Sequence, residues 1–267
     1  MLQIFFSSWR SGFRNKTLFS VFALGVALVV LANLSASFSP RQPLTVSLDV
    51  GLSGLRFSLV LFSITLVQDL VGREIERKSV ILILSYPIPR VAYILGRYFG
   101  VLALTFVAAL LLGLLLWIAV MLSGMHYDQQ FRVSLGIPYW AAVLGVWLDA
   151  AVVAAFSLWI ATLSTVTMLP LIVGGLFAIA ARGAGAMSDF LAQGADRQAD
   201  LVARFGPVFD IVRWVLPDLS RLDWRQWPMY GHVPDPTALV LSVLSALAYS
   251  FAMIGFATYV FSRREFA

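Results

Sequence analysis

A chain of 267 residues that is 60% hydrophobic and only 12% charged departs from soluble domains, which are about 45–50% apolar and about 25% charged. Its mean hydropathy of +0.87 puts it in the membrane class and leaves no length for a soluble catalytic domain. The lack of cysteine excludes disulfides, thiolate metal sites and cysteine nucleophiles, and basic residues held on the cytoplasmic side of a membrane explain the net charge of +5 better than nucleic acid does.

Residues 1–16 place Leu2, Phe5, Phe6, Trp9 and Phe13 at helical spacing, with Ser7, Arg10, Ser11 and Arg14 opposite. This predicts an amphipathic helix lying in the interface plane, with a plain cytoplasmic lead-in as the alternative. The apolar run starts only near Leu18 and no A-x-A site follows, which argues against a cleaved leader. A spanning helix needs about 20 apolar residues. Residues 17–267 then read as a transmembrane domain with spans over 17–38, 50–71, 95–122, 137–163, 166–181 and 238–261. The fold class is an all-α membrane protein with about six transmembrane helices.

Orientation follows from the short segments. With the N-terminus inside, the cytoplasmic side carries Arg10, Arg14, Lys16, Arg73, Arg77, Lys78, Arg90, Arg97, Arg263 and Arg264. The outer short loops and flanks carry Arg41, Arg56 and Arg132. The positive-inside rule gives N-in/C-in. The segment 184–236 between spans five and six is then periplasmic, and its arginines are offset by aspartates. Phe205, Val208, Phe209, Val212 and Val215 fall on one helical face there, predicting helical structure packed on the membrane surface or on a partner, with Pro217 ending the run.

Between spans two and three, residues 72–90 form a charged, proline-ended element. Gly72 and the charges end the second span. Glu74, Glu76, Arg77 and Lys78 are expected to be solvated, Val80, Ile81, Leu82 and Leu84 bury against membrane or partner, and Pro87 and Pro89 turn the chain back before Arg90.

This stretch resembles the cytoplasmic signature of type-2 ABC transporter permeases, in which Glu-Arg-Gly-Thr, leucines, Pro-x-x-Arg and Leu-Gly-Lys-Tyr precede the third span. Glu76-Arg77-Lys78-Ser79, Pro87 with Arg90, and Leu95-Gly96-Arg97-Tyr98 stand at those places. The departures are Lys78 for Gly, Ser79 for Thr and Arg97 for Lys. Within the family the likeness is greatest to permeases of the multicopper-enzyme maturation type, which accompany nitrous oxide reductase assembly; Leu216-Pro217-Asp218-Leu219-Ser220-Arg221 is similar to that group too. The resemblance implies a bacterial inner-membrane permease subunit whose element 72–90 is a coupling helix docked on a separate ABC ATPase, present in two copies. It also implies a second permease copy or a related permease, and ATP and Mg bound by the ATPase partner.

No G-x-x-x-x-G-K-[ST] occurs, so ATP hydrolysis is not expected in this chain, and His126 and His232 without cysteine do not make a zinc site. Asp149, deep in span four, is the charge that most demands a function. It could line a transport pathway, relay a proton or bind a cationic group, or it could form an intramembrane pair with Arg56 of span two. The fifth span, short and carrying Pro170, Gly174 and Gly175, reads as a flexible helix of the interrupted kind or as a site of close packing. Export is the leading function. The alternative is force transmission to a periplasmic protein through 184–236, as in metalloenzyme maturation. An intramembrane protease is disfavoured, because Tyr127-Asp128 lies in a loop and no G-x-G-D follows.

Overall fold

A computed structural model describes residues 2–13, 16–39, 41–77, 79, 89–124, 133–194 and 216–264. Lys78, Val80 to Leu84, Pro87, His126, Asp128 and the helical face predicted over Phe205 to Val215 lie outside the described residues. The elements are α1 (Leu2–Phe13), α2 (Lys16–Ala36), α3 (Pro43–Val67), a π turn (Gln68–Gly72), α4 (Arg73–Glu76), α5 (Arg90–Gly124), α6 (Ile137–Leu163), α7 (Leu169–Gly194), a 3-10 turn (Leu219–Leu222), α8 (Gln226–Tyr230) and α9 (Pro236–Arg263). The described part of the protein is all-helical.

Among the described residues, five helices are long and apolar enough to cross a membrane: Phe19–Ala36, Pro43–Glu76, Arg90–Ser123, Ile137–Leu163 and Pro236–Arg263. A sixth, Leu169–Gly185, is apolar but shorter; at 1.5 Å per residue its 17 residues reach about 25 Å, just under a hydrocarbon core of about 30 Å. Several predicted boundaries move. The second span begins at Pro43, the third helix at Arg90, and the fifth helix runs from Leu169 to Gly194, absorbing the first part of the segment expected as a loop. Gly72 does not end the second span: the chain stays helical through a π turn into α4. Apolar burial on both sides of the turn outweighs the cost of one glycine in a helix.

Pro170 also reads differently. It is the second residue of α7, where a missing N–H costs nothing, so it opens the helix rather than breaking it. Pro43, Pro138 and Pro236 occupy the same first-turn positions in α3, α6 and α9.

α3 and α6 form the centre of the bundle: 61% and 78% of their apolar stretches are buried, against 22% for α2 and 28% for α9. α2 packs on α3 and α5, α7 on α6 and α3, and α9 on α6 and α5. The outer faces stay apolar, with Leu244, Leu247 and Phe251 exposed on α9 and Ile172, Leu176 and Ile179 on α7, as a lipid-facing surface requires. Within α3 Ser58 donates back to Gly54 O at 2.8 Å and Thr65 to Leu61 O at 2.7 Å, which spares these hydroxyls unpaired burial.

α1 lies against α5, and the face it turns inward is Ile4, Ser8 and Gly12, one residue per turn. A side chain at Gly12 would meet Leu104, and one at Gly100 would meet Ser8. Phe6 is exposed while Phe5 and Trp9 stack on each other. The aromatic face predicted to be the apolar one is thus divided, with Phe6 exposed and Trp9 packed against the core.

At the other end of the bundle, the chain after residue 216 folds back inward. Asp218 Oδ1 accepts from Ser220 N at 3.1 Å and caps the 3-10 turn. Leu219, Leu222 and Trp224 bury among α6, α7 and α9. Two glycines make room: a side chain at Gly185 would collide with Asp218 and Ser220, and one at Gly145 with the Leu222 carbonyl and Trp224. Gly231, at φ +72, closes α8 in the left-handed region.

Candidate functional site

Two polar constellations stand out in an otherwise apolar bundle, one at each end. The first surrounds the entrance and exit of the 72–90 element. Glu74 was expected to be solvated, but it pairs with Arg97, and its other oxygen accepts from Tyr93 Oη at 2.6 Å. The Arg97 guanidinium is buried. It donates to Ser8 Oγ of α1 at 2.9 Å and lies over the Tyr93 ring, 5.5 Å from its centroid. Glu74 cannot be released to solvent without leaving a buried cation, which is the physical reason for the difference. Glu76 is exposed, yet its carboxylate accepts from Thr167 Oγ1 in the link between α6 and α7. Arg77 is exposed, and Ser79 Oγ donates to Glu74 O at 3.2 Å.

Arg90 is a capping group. Its Nη1 donates to the carbonyls of Phe261, Ser262 and Arg264, at 3.2, 2.8 and 3.0 Å, at the end of α9. Arg264 in turn donates to Thr162 O at 2.6 Å and Ser164 O at 3.1 Å, at the end of α6. A cation at a helix C-terminus satisfies orphan carbonyls and meets the negative end of the macrodipole. Gln68, the first residue of the π turn, donates to Met168 Sδ at 3.3 Å, and Asp69 pairs with Arg73 at 2.9 Å. Hydrogen bonds from residues 68–97 therefore reach α1, α5, the α6–α7 link and the end of α9.

The second constellation lies toward the opposite end. Asp149, 2% exposed, and Arg56, 6% exposed, do meet: Arg56 Nε stands 3.3 Å from Asp149 Oδ2. They are not alone. Arg182 of α7 reaches Asp149 Oδ2 at 3.1 Å, and both arginines also reach Asp223 Oδ2, Arg56 at 2.9 Å and Arg182 at 3.2 Å. Arg225 donates to Asp223 Oδ1 at 2.8 Å, to Asp49 Oδ1 at 2.6 Å and to Ser53 Oγ at 2.9 Å. Three arginines and three aspartates thus join α3, α6, α7 and the infolded segment, with no net charge. Burial alone would raise the Asp223 carboxyl. The hydrogen bonds and charges of Arg56 and Arg225 outweigh it and hold the group well below the usual carboxylate range. Burial likewise opposes the Arg225 charge, but Asp223 and then Asp49 raise its guanidinium above its ordinary value.

A groove of about 370 Å³ runs between α3 and α7 beside this network, with Arg56, Asp149, Arg182 and Arg225 on its lining. Gly175 also lines it, and a side chain there would meet nothing. At Gly174 a side chain would collide with Ser157 of α6. The two adjacent glycines serve different ends, close packing at Gly174 and open space at Gly175.

Asp149 and Arg56 are thus brought together, and Glu74, Glu76 and Arg90 share one end of the bundle. Arg182, Asp223, Arg225, Arg97, Tyr93, Thr167 and Arg264 went unpredicted. Of these, Arg97 carried a signal, a cation one turn inside an apolar run. Among the described residues no group of three or more His, Asp or Glu could hold a metal ion, and the chain has no cysteine.

Residues 45–190, more than half of the chain and running from α3 into the last turns of α7, match the family model described as "ABC-2 family transporter protein". A search of the curated proteins finds no match.

Proposed function

The chain belongs to the ABC-2 transporter family, and from that premise we propose that it is the permease subunit of an exporter driven by a separate ATPase. Two ATPase copies and a second permease complete the machine, ATP and Mg are bound by the ATPase, and the bundle sits N-in/C-in in a bacterial inner membrane. Residues 72–90 are the coupling element, and 1–16 lies at the cytoplasmic interface with Phe6 toward lipid. The finer likeness to permeases of multicopper-enzyme maturation belongs to the same proposal.

One observation carries this reading. The 72–90 element is hydrogen-bonded at both of its ends to the rest of the bundle, through Glu74 to Arg97 and Tyr93, through Glu76 to Thr167, and through Arg90 to the end of α9. A displacement imposed on that element by an ATPase would shift α5, the α6–α7 link and α9 together, a lever of the rigid-body kind. The exposed Arg77, together with Lys78 and Pro87, supplies the docking surface, and Ser79 braces it. Gly175, with open space over it, gives α7 room to move.

Glu76→Ala and Arg90→Ala are expected to lower ATPase-coupled transport several-fold while membrane insertion and yield stay unchanged. Transport at the wild-type rate in both variants would overturn the assignment.

A second reading, force transmission without a translocated solute, is favoured by Asp223. That residue lies in the infolded segment within 184–236, yet it reaches Arg56 inside the bundle, so a periplasmic partner gripping the segment would feel movement of α3. Deleting Ser188 to Arg204 distinguishes the two readings: loss of partner binding alone favours transmission, and loss of solute efflux favours transport.

A further inference from the structure

The groove between α3 and α7 has the layout of an amphiphile. Its apolar walls are Phe57, Val60, Leu61 and Ile64 on α3 and Ala178 and Ile179 on α7. Phe57 and Ile179 at its mouth are 59% and 73% exposed, so the groove opens sideways on the belt that faces lipid. Its charged groups lie at one end. Arg182 is three residues from the end of the apolar stretch Leu169–Gly185, about 5 Å along the helix, and Arg225 lies beyond the helices altogether. From Arg56 the α3 wall continues eight residues to Ile64, about 12 Å across the middle of the stretch Pro43–Glu76. A polar head at the level where the spans emerge and a chain running inward would match that division.

The sign of the head follows from which charges face the groove. Arg56, Arg182 and Arg225 line it, against the single carboxylate of Asp149, which is buried. Asp223 and Asp49 hold the arginines without lining the groove. The side chains of Arg182 and Arg225 are 32% and 23% exposed, that of Asp149 only 3%. Arg182 Nε and Arg225 Nη2 donate to no described residue, so donor capacity remains for an acidic group. Arg182 is also the removable cation. Arg56 touches the same two carboxylate oxygens, so both acids keep a partner when Arg182 turns to a ligand. We propose that the α3–α7 groove binds an acidic membrane lipid, with its head on Arg182 and Arg225 and one acyl chain along the apolar walls. At about 370 Å³ the groove is within the usual range of small-ligand sites, about 300–1,000 Å³.

This inference concerns the chain alone and does not rest on the permease reading, so the test needs no ATPase. The purified protein is placed in nanodiscs of equal parts phosphatidylglycerol and phosphatidylcholine and delipidated in detergent, and the lipids it retains are counted by native mass spectrometry. The expected result is a preference of about tenfold for the acidic lipid, the scale of one charge-assisted contact. Arg182→Gln should bring the ratio close to parity. Ile179→Trp, at an exposed site outside the ion network, should reduce retention of the lipid by filling the groove. Arg77→Gln together with Arg263→Gln, at the opposite basic end, should leave the preference intact. Equal retention of the two lipids by the wild type, a preference that survives Arg182→Gln, or one removed by the distal pair would overturn the proposal.

Discussion

Asp149 Oδ2 and Asp223 Oδ2 each sit between the same two guanidiniums, Arg56 and Arg182, so the four side chains close a square in which each acid has two cations. Removing one corner is therefore unequal in effect. Arg56→Gln takes away the more buried cation and leaves Asp149 dependent on a half-exposed Arg182. Breaking a buried pair in this way costs about 3–5 kcal/mol. Arg182→Gln leaves Arg56 in contact with both acids and should cost less than half as much. Thermal unfolding of both variants in detergent, together with Asp149→Asn and the Arg56→Gln/Asp149→Asn double, reads the difference, and the double should be less destabilised than Arg56→Gln. Equal losses at Arg56 and Arg182 would mean the square is not the unit. The acid side has its own signature. The Asp223 carboxyl is held below its unfolded value, so its contribution is complete above about pH 4, the ordinary carboxylate range, and disappears as pH falls through the lowered value. Asp223→Asn should flatten the fall in midpoint temperature below pH 4 without changing its slope between pH 6 and 8.

Small residues decide where the elements approach. Ser8 and Gly12 let α1 settle on α5 beside Gly100, and Arg97 then reaches Ser8. A bulky Gly100→Val should lift α1 from the bundle. The chain has no cysteine, so a single thiol at the buried Ile4 reports this directly: maleimide modification should be slow in the parent and at least about tenfold faster with Gly100→Val, as expected when packing holds the helix and overpacking is costly. Unchanged protection would show that α1 is held by something other than this contact. The long spans were legible in the sequence because twenty apolar residues in a row have one physical reading in lipid, whereas Pro43 and Pro170, read as breaks, stand in the first turns of their helices. Asp149 and Arg56 were legible because a charge in such a run is conspicuous. Arg182 was not, since it stood one residue past the predicted end of a span and counted as loop. Nor were Asp223 and Arg225, which contact partners 167 and 176 positions away, a separation over which no local pattern carries information. The capping roles of Arg90 and Arg264 were hidden for the same reason: both are ordinary flanking cations until the helix ends they serve are placed beside them.

Taken whole, the molecule sorts its charge by end. Arg73, Arg77, Arg90, Arg97, Arg263 and Arg264 gather where Asp69, Glu74 and Glu76 lie, whereas toward the opposite end Arg56, Arg182, Arg221 and Arg225 pair with aspartates. The positive-inside rule counts Lys and Arg near the span ends, and it retains the end richer in them in the cytoplasm. The proposed N-in/C-in arrangement thus has a direct test in the cysteine-free chain. Arg77→Cys and Val233→Cys are both at exposed positions, on opposite ends of the bundle. In intact cells a membrane-impermeant maleimide should label Val233→Cys and spare Arg77→Cys until the membrane is opened. The reverse pattern would turn the bundle over, place the coupling element beyond the reach of a cytoplasmic ATPase and remove the basis of the lever, while leaving the ion square and the α3–α7 groove as they are.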